Sequence, residues 1–233
     1  MSDRQWQRIP ICLLFSLKEE ADPFCKTNVN ADMTTARKLR VGTTGLGWRN
    51  AAMFTQATIA QWSPEMLVIC GFCGGLSAEV KPGDLTIASS VTAAPHFNPL
   101  FHPDIRLLKS ASKVHLPGIN IHTGALITTH SVLITPQEKK ALAESVDGQI
   151  VDMETAAIVE TAEQHRIPWV VIRAITDGVD DTLPIDFNTL ADSDGNVDNT
   201  RVIKSTLLHP QKHTIVVMNH QQRENLSALH MYN

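Results

Sequence analysis

The sequence lacks a long hydrophobic run and an excess of basic residues, and each absence excludes a class of protein. Its best N-terminal apolar stretch, "IPICLLFSL", is about half of the roughly 18 residues that a membrane-spanning helix needs. The stretch has no small-residue cleavage site and runs directly into "KEE", so we expect a buried strand and not a signal peptide. The net charge of −4 disfavours a nucleic-acid partner, because such proteins present a basic face to phosphates.

Cysteine is also scarce, and the four residues are Cys12, Cys25, Cys70 and Cys73. The last two form the CxxC of "ICGFCGGL", a spacing that redox and zinc sites use. A thioredoxin-type pair needs a helix at its first cysteine, whereas Gly74 and Gly75 follow the second cysteine here. Neither a second CxxC nor an HExxH supplies further zinc ligands. We therefore favour reduced thiols in a cytoplasmic protein over a redox or metal site.

Strand-like and helix-like segments alternate through most of the chain. "EMLVICGF" and "WVVIRAIT" are nearly continuous apolar runs, which are typical of strands buried on both faces. "WRNAAMFTQATIAQW", "TPQEKKALAESV" and "METAAIVETAEQHR" have helical periodicity, and Thr135 and Pro136 stand in capping order. The alternation predicts a single-domain, three-layer α/β/α fold with a central mixed, mostly parallel sheet. We expect one domain over residues 1–233, with a core at 9–190 and a helical segment at 191–233.

The segments that follow the predicted strands carry most of the chemistry. Ligands of open α/β sheets bind beyond the carboxyl ends of the strands. Three strands are followed by acidic segments, and these are "KEEADPF", "METAA" and "TDGVDD". The central strand is followed by "GFCGGL", which we interpret as a glycine-rich turn whose backbone approaches a ligand closely.

Three carboxylates are candidates for a site, and each has a structural alternative. Asp177 ends an apolar strand, where burial favours a protonated acid that can donate to a leaving group; otherwise it caps the next turn. Glu154 opens a helix and can bind two vicinal hydroxyls, or it complements the helix dipole. Glu20 or Glu19 can activate water, and a solvated helix start is the alternative that we favour for Glu19.

Five segments in this order resemble the purine nucleoside phosphorylase/uridine phosphorylase superfamily. They are "LFSLKEEADPF", "TTGLGWRNAA", "ICGFCGGLSAEVKPGDLTIAS", "VDMETAA" and "VVIRAITDGVDD". The greatest similarity is to the 5′-methylthioadenosine/S-adenosylhomocysteine nucleosidase branch. The resemblance implies a phosphorylase/hydrolase-like fold, cleavage of the N-glycosidic bond of a purine nucleoside, no metal or organic cofactor, and a homo-oligomer.

The resemblance also implies a role for each matching residue. Asp177 is implied as the acid at purine N7, Glu154 as the ligand of the ribose hydroxyls, and Glu20 as the residue that positions the attacking water. Further substrate contacts are implied for Leu46, Phe72, Gly74, Leu133, Met153, Thr176 and Phe187.

Two alternative functions stay open at this point. Phosphorolysis is one, since Arg49 in "GLGWRN" stands at a predicted helix N-terminus, a natural anion site, unless it is a solvated helix residue. Glu20 counts against phosphate because like charges repel.

The second alternative function is a weakened nucleoside-binding protein. Phe72 stands where members of this superfamily often have a small or hydroxyl residue, and it could block or reshape the water or phosphate pocket. The 21–44 segment is also irregular, and aromatic residues, which stack on bases, are only 5% of the chain.

Overall fold

Strands and helices alternate through residues 9–26 and 39–183, the part of the chain that the computed structural model describes. The strands are β1 (Ile11–Phe15), β2 (Leu39–Thr43), β3 (Met66–Gly75), β4 (Leu85–Ala93), β5 (Ile121–Thr128), β6 (Ile150–Asp152) and β7 (Trp169–Asp177). The helices are α1 (Lys18–Cys25), α2 (Trp48–Trp62), α3 (Ile105–Ala111), α4 (Pro136–Ser145) and α5 (Thr155–Gln164). The predicted alternation is confirmed, and α3 is an additional helix that the sequence reasoning did not predict.

All seven strands belong to one sheet, in the order β2-β1-β3-β6-β5-β4-β7, and β3 also pairs with β7. The β3–β6 and β4–β7 pairs are antiparallel, whereas the other strand pairs within the described residues are parallel. Because β3 contacts both β6 and β7, the strands from β3 to β7 close into a ring, and β1 and β2 extend from it. The predicted mixed, mostly parallel sheet is confirmed.

Helices cover both faces of this sheet. Leu67 and Ile69 of β3 pack in a core with residues of α2 and α5. Their neighbours Met66 and Val68 point the other way and pack against Leu107 of α3. Successive side chains of a strand alternate between faces, so β3 is buried on both sides, as its continuous apolar run predicted. The arrangement has the three layers expected from the sequence.

The glycine-rich stretch differs from its prediction as a turn. Residues 70–75 continue β3 to its end, paired with β7 and, at Gly74 and Gly75, with β6. The ladder bonds to two neighbouring strands keep this stretch extended in spite of its glycines.

None of the helices in the described residues is long and apolar enough to cross a membrane. Phe187 and the proposed helical segment 191–233 lie outside the described residues.

Candidate active site

Glu20 lies in the first turn of α1, directly after β1. Its Oε2 atom accepts hydrogen bonds from the backbone N–H groups of Ser16 and Leu17, both at 2.9 Å. Its Oε1 atom accepts from the backbone N–H of Phe72 in β3, at 3.0 Å. Glu20 is only partly exposed, whereas Glu19 is exposed to solvent, as we expected for that residue. The first acidic segment therefore places one carboxylate against β3.

Glu154 precedes α5 and is almost fully buried, with 4% of its surface exposed. Its side chain makes no capping bond to α5, so its position does not follow from helix capping. Instead Oε1 accepts from the backbone N–H of Gly47 at 2.7 Å, and Oε2 accepts from the Ser16 hydroxyl at 3.1 Å. An ionised carboxylate has about four acceptor positions, so about two remain for further donors.

Ser16 joins the first two carboxylates, a role that the sequence reasoning missed. Its backbone N–H donates to Glu20 and its hydroxyl donates to Glu154. The residue is buried, at the point where β1 gives way to α1. One residue thus fixes two acidic groups that are far apart in the sequence.

Asp177 ends β7 and is also buried, with 4% of its surface exposed. Lys139 Nζ donates to its Oδ2 atom at 2.5 Å, and Thr176 Oγ1 donates to its Oδ1 atom at 2.7 Å. The following turn is closed by Asp181, whose carboxylate accepts from Gly178 N at 2.7 Å. Asp177 is therefore not the cap of that turn. The sequence reasoning considered burial alone and missed the lysine partner.

A buried arginine lies beneath the carboxylates. Arg173 of β7 donates through Nη2 to Asp152 Oδ2 and Thr155 Oγ1, both at 2.6 Å, and through Nη1 to Cys70 O at 3.0 Å. Asp152 also accepts hydrogen bonds from the hydroxyls of Thr128 and Thr155. The sequence signal was available, because an arginine in the apolar run "VVIRAIT" needs a charged partner when it is buried.

Burial and neighbouring charge alter the acidity of two of the site's carboxyl groups. Burial raises the pKa of Glu154 to about 7, and the negative charge of Asp152 adds to this rise. Burial likewise raises the pKa of Glu20, while the positive charge of Arg173 and the backbone N–H donors act in the opposite direction. Glu154 can therefore change protonation state near neutral pH, and Glu20 holds a proton more tightly than an exposed glutamate does.

Two glycines of β3 leave room for these acidic groups. A β-carbon at Gly71 would lie 2.4 Å from Arg173 Nη1 and 2.9 Å from Glu20 Oε2. A β-carbon at Gly74 would lie 3.1 Å from Asp177 Oδ2. The glycines thus admit protein side chains, whereas the sequence reasoning expected them to admit a ligand. Gly71 and Gly74 are three positions apart in β3, so the points at which β3 meets Glu20 and Asp177 are roughly 10 Å apart.

Gly71→Ala is expected to destabilise the protein by about 2–4 kcal/mol, because φ is +138° at this position and the new methyl group would meet Arg173 and Glu20. Thermal melts monitored by circular dichroism measure this cost. Gly118→Ala is the matched control, since φ is +77° there and no atom lies within 4 Å of the added carbon. Equal losses in both variants would show that backbone strain alone, and not crowding by the site, requires Gly71.

The remaining predicted contacts are distributed around this core. Leu133 packs beside Val151 and Leu76, near the Asp177 end of the site. Leu46 lies in the turn before α2, next to Gly47. Met153 lies between Asp152 and Glu154 and is half-buried. Their positions alone do not assign these side chains to a substrate, so their roles stay predictions, and Phe187 lies outside the described residues.

The side chain of Phe72 points away from Glu20, and its predicted effect on a water or phosphate pocket stays a prediction. Its ring packs with Leu85, Leu116 and Ala174, on the face of β3 opposite to Glu20. Alternation along the strand causes this, since Gly71 faces Glu20 and Phe72 faces the other way. What Phe72 contributes to the site is its backbone N–H.

Arg49 occupies the second position of α2, so the predicted helix N-terminus is confirmed. Its side chain is exposed. The Gly47 N–H at this helix end is bound by the Glu154 carboxylate. A protein carboxylate therefore already uses a donor that a phosphate would need.

The CxxC cysteines belong to β3 and are free thiols, Cys73 being buried and Cys70 partly so. Burial raises the pKa of Cys70 to about 12 and that of Cys73 well above its usual value. Redox and metal chemistry need the thiolate, which these environments disfavour. Within residues 9–26 and 39–183, no three His, Cys, Asp or Glu side chains group as metal ligands.

Cys73→Ala is expected to leave turnover within about twofold of wild type and to cost about 1–2 kcal/mol of stability through lost packing. Cys12→Ala is the matched control, because Cys12 is equally buried in β1. Steady-state turnover and thermal melts of the two variants measure these effects. A loss of activity confined to the Cys73 variant would restore the thiol-dependent alternative.

Comparison with known proteins agrees with this geometry. The family profile described as "Phosphorylase superfamily" matches residues 19–207. A 5′-methylthioadenosine/S-adenosylhomocysteine nucleosidase of Desulfotalea psychrophila is 30% identical over 175 residues, which are 68% of this chain and 75% of the relative. The nucleosidase of an Exiguobacterium species is 29% identical over 161 residues, covering 62% of this chain and 69% of that protein.

Solved structures share the fold. A nucleosidase of the same name from Colwellia psychrerythraea, in complex with adenine, superposes with a TM-score of 0.65 at 21% identity, covering 75% of this chain and 85% of that one. Futalosine hydrolase of Helicobacter pylori gives a TM-score of 0.62 at 16% identity, covering 76% and 88%. The resemblance found in the sequence is confirmed: this chain belongs to the phosphorylase superfamily.

Proposed function

We propose that this protein is an N-glycosidase that hydrolyses a purine nucleoside of the methylthioadenosine/S-adenosylhomocysteine class. The observation that carries the proposal is the gathering of three carboxylates, Glu20, Glu154 and Asp177, around the end of β3. Ser16 links the first two, and the spacing along β3 separates Glu20 from Asp177 by about the length that a base and its sugar need. The names of the curated relatives and the adenine bound to the Colwellia protein support the same substrate class.

Asp177 is assigned to the leaving base. Breaking the ribosyl C–N bond leaves negative charge on the purine, and an acid at N7 discharges it. The carboxyl is held at both oxygens, by Lys139 and by the Thr176 hydroxyl, so its orientation is fixed before substrate arrives. Fixed groups of this kind lower a barrier because they need no rearrangement during the reaction.

Glu154 is assigned to the ribose. Its two unused acceptor positions suit the two vicinal hydroxyls of the sugar. Its negative charge, when the group is ionised, also favours the cationic sugar that forms as the bond to the base breaks. Burial in contact with Gly47 and Ser16 keeps both oxygens in place.

Glu20 is assigned to the attacking water. Three backbone N–H groups already occupy its oxygens, which leaves about one acceptor position for a water hydrogen. Its raised pKa makes it a better proton acceptor than an exposed glutamate. A carboxylate at this place also repels a phosphate dianion, which favours hydrolysis over phosphorolysis.

Product analysis tests the proposed function. A panel of methylthioadenosine, S-adenosylhomocysteine, adenosine and inosine is incubated with and without phosphate, and free base and sugar are quantified by chromatography. We expect adenine and the free ribose derivative in both conditions. Ribose 1-phosphate that appears only with phosphate would establish the phosphorylase instead. Binding in a thermal-shift assay without any base release would establish the nucleoside-binding protein.

The cellular location and the oligomeric state are part of the same proposal. The resemblance implies a cytoplasmic homo-oligomer whose partner is the small-molecule nucleoside. Light scattering coupled to size-exclusion chromatography measures the oligomeric state directly, and a monomer at micromolar concentration would contradict it.

A further inference from the structure

Lys139 is a fully buried cation, and the proposed function uses it only to hold the Asp177 carboxyl in place. It lies in the first turns of α4, and none of its surface is exposed. Its neighbour Lys140 is exposed and pairs with Asp180 at 2.6 Å. Lysine is almost never fully buried unless it is paired, because the ammonium group loses its hydration. Its burial therefore needs a specific explanation.

The three N–H bonds of the ammonium group each have an acceptor. Nζ donates to Asp177 Oδ2 at 2.5 Å, to Gly178 O at 2.8 Å and to Asp181 O at 2.9 Å. Two of the acceptors are backbone carbonyls of the turn that follows β7. Leu183 N donates to Ile134 O at 2.9 Å, so the same turn is also tied to the segment before α4. The lysine thus fixes Asp177 and the turn behind it at once.

We infer that Lys139 is a positioning residue that holds Asp177 for the leaving base and supplies the proton that Asp177 transfers. This inference rests on the proposed function. The ion pair of carboxylate and ammonium contains the same protons as the neutral pair of carboxylic acid and amine. In the neutral pair, the amine keeps two N–H bonds for Gly178 O and Asp181 O, and its lone pair accepts from the Asp177 O–H.

Every polar atom of Lys139 therefore has a hydrogen-bond partner in both forms. The proton can move between Lys139 Nζ and Asp177 without a change in the surrounding contacts. During the reaction an Nζ–H bond breaks and an O–H bond forms on Asp177. That O–H bond then breaks as N7–H forms on the leaving base. The water that attacks the sugar releases one proton, which restores the ammonium by way of solvent, so protons and charge balance over the cycle.

Lys139→Met tests the inference, with Lys140→Met as the matched control on the same helix. With a purine nucleoside, we expect Lys139→Met to lower kcat about 100-fold or more and to change KM less than about threefold. Lys140→Met should stay within about twofold. With 4-nitrophenyl β-D-ribofuranoside, whose leaving group needs no proton, Lys139→Met should lose less than about fivefold.

Two outcomes would overturn the inference. One is wild-type turnover of the purine nucleoside by Lys139→Met, and the other is an equal loss on both substrates, which indicates a purely structural role. If Lys139→Met does not fold, Asp177→Asn/Lys139→Met, which buries no charge, is compared with Asp177→Asn. Equal residual rates support action through Asp177, and a further tenfold loss contradicts it. The wild-type protein is assayed before any variant. If it releases no base, the proposed function itself is overturned.

Discussion

Asp177→Asn is expected to lower kcat for base release by about 10²–10⁴-fold while the substrate still binds. The substitution keeps the shape of the side chain but removes the proposed donor of a proton to N7. The proposed contact of Glu154 with the sugar is unchanged, so KM should move less than about threefold. Steady-state assays of adenine release measure kcat and KM, and calorimetry measures substrate binding, so the loss of catalysis is separated from any loss of binding.

The same variant breaks a buried ion pair, because Lys139 loses its carboxylate partner. Removing one member of such a pair costs about 3–5 kcal/mol, so the assay must be run below the lowered melting temperature. Thr176→Val is a useful control, since it removes the hydroxyl that donates to Asp177 but keeps the carboxyl and the lysine. Near-wild-type base release by folded Asp177→Asn would rule out the assigned acid.

The sequence was sufficient to predict where two of the three carboxylates lie in the sheet. Glu20 follows β1 and Asp177 ends β7, and both strands run parallel to β3, so these two carboxylates lie at the carboxyl ends of parallel strands as predicted. Glu154 follows β6, which is antiparallel to β3, and it is joined to the end of β1 through the Ser16 hydroxyl. Helix capping at Thr135 was equally local, and α4 begins where predicted. Such features depend on a few neighbouring residues, which is why pattern alone identifies them.

What the sequence did not predict depends on contacts between distant segments. The ring closure of the sheet requires β3 to pair with β6 and β7 together, and no local pattern encodes that. Lys139 was missed although it shares a helical face with Leu142 and Ala143, which pack into the protein. That stripe was the available signal, since it places Lys139 inside and Lys140 outside.

Glu154→Gln is expected to change both the pH dependence of stability and the recognition of ribose. The folded-state pKa of Glu154 is about 7, above the ordinary value of 4.5, because the group is buried. A raised acid pKa means that the folded protein holds the proton more tightly, so the wild type loses stability as pH rises from about 4.5 to about 7. The loss is about 3 kcal/mol and stays constant at higher pH.

Glutamine does not titrate, so this contribution is absent from the variant. The free energy of unfolding of Glu154→Gln should therefore improve relative to wild type by about 3 kcal/mol between pH 4.5 and 8. Denaturant titrations at several pH values measure the difference. Glu144→Gln, an exposed change on α4, controls for the altered surface chemistry. Parallel pH profiles for wild type and Glu154→Gln would contradict the raised pKa.

Recognition of the sugar should weaken in the same variant, because the amide offers one acceptor oxygen where the carboxylate offers two. Gly47 N–H and the Ser16 hydroxyl already compete for acceptors at this position. A hydrogen bond to a charged group is worth about 1.5–3 kcal/mol, so the preference for ribosides over 2′-deoxyribosides should fall about 10- to 100-fold in kcat/KM. If that preference were unchanged, Glu154 would be a structural acid that holds Ser16 and Gly47, and the sugar would have to be bound by another group.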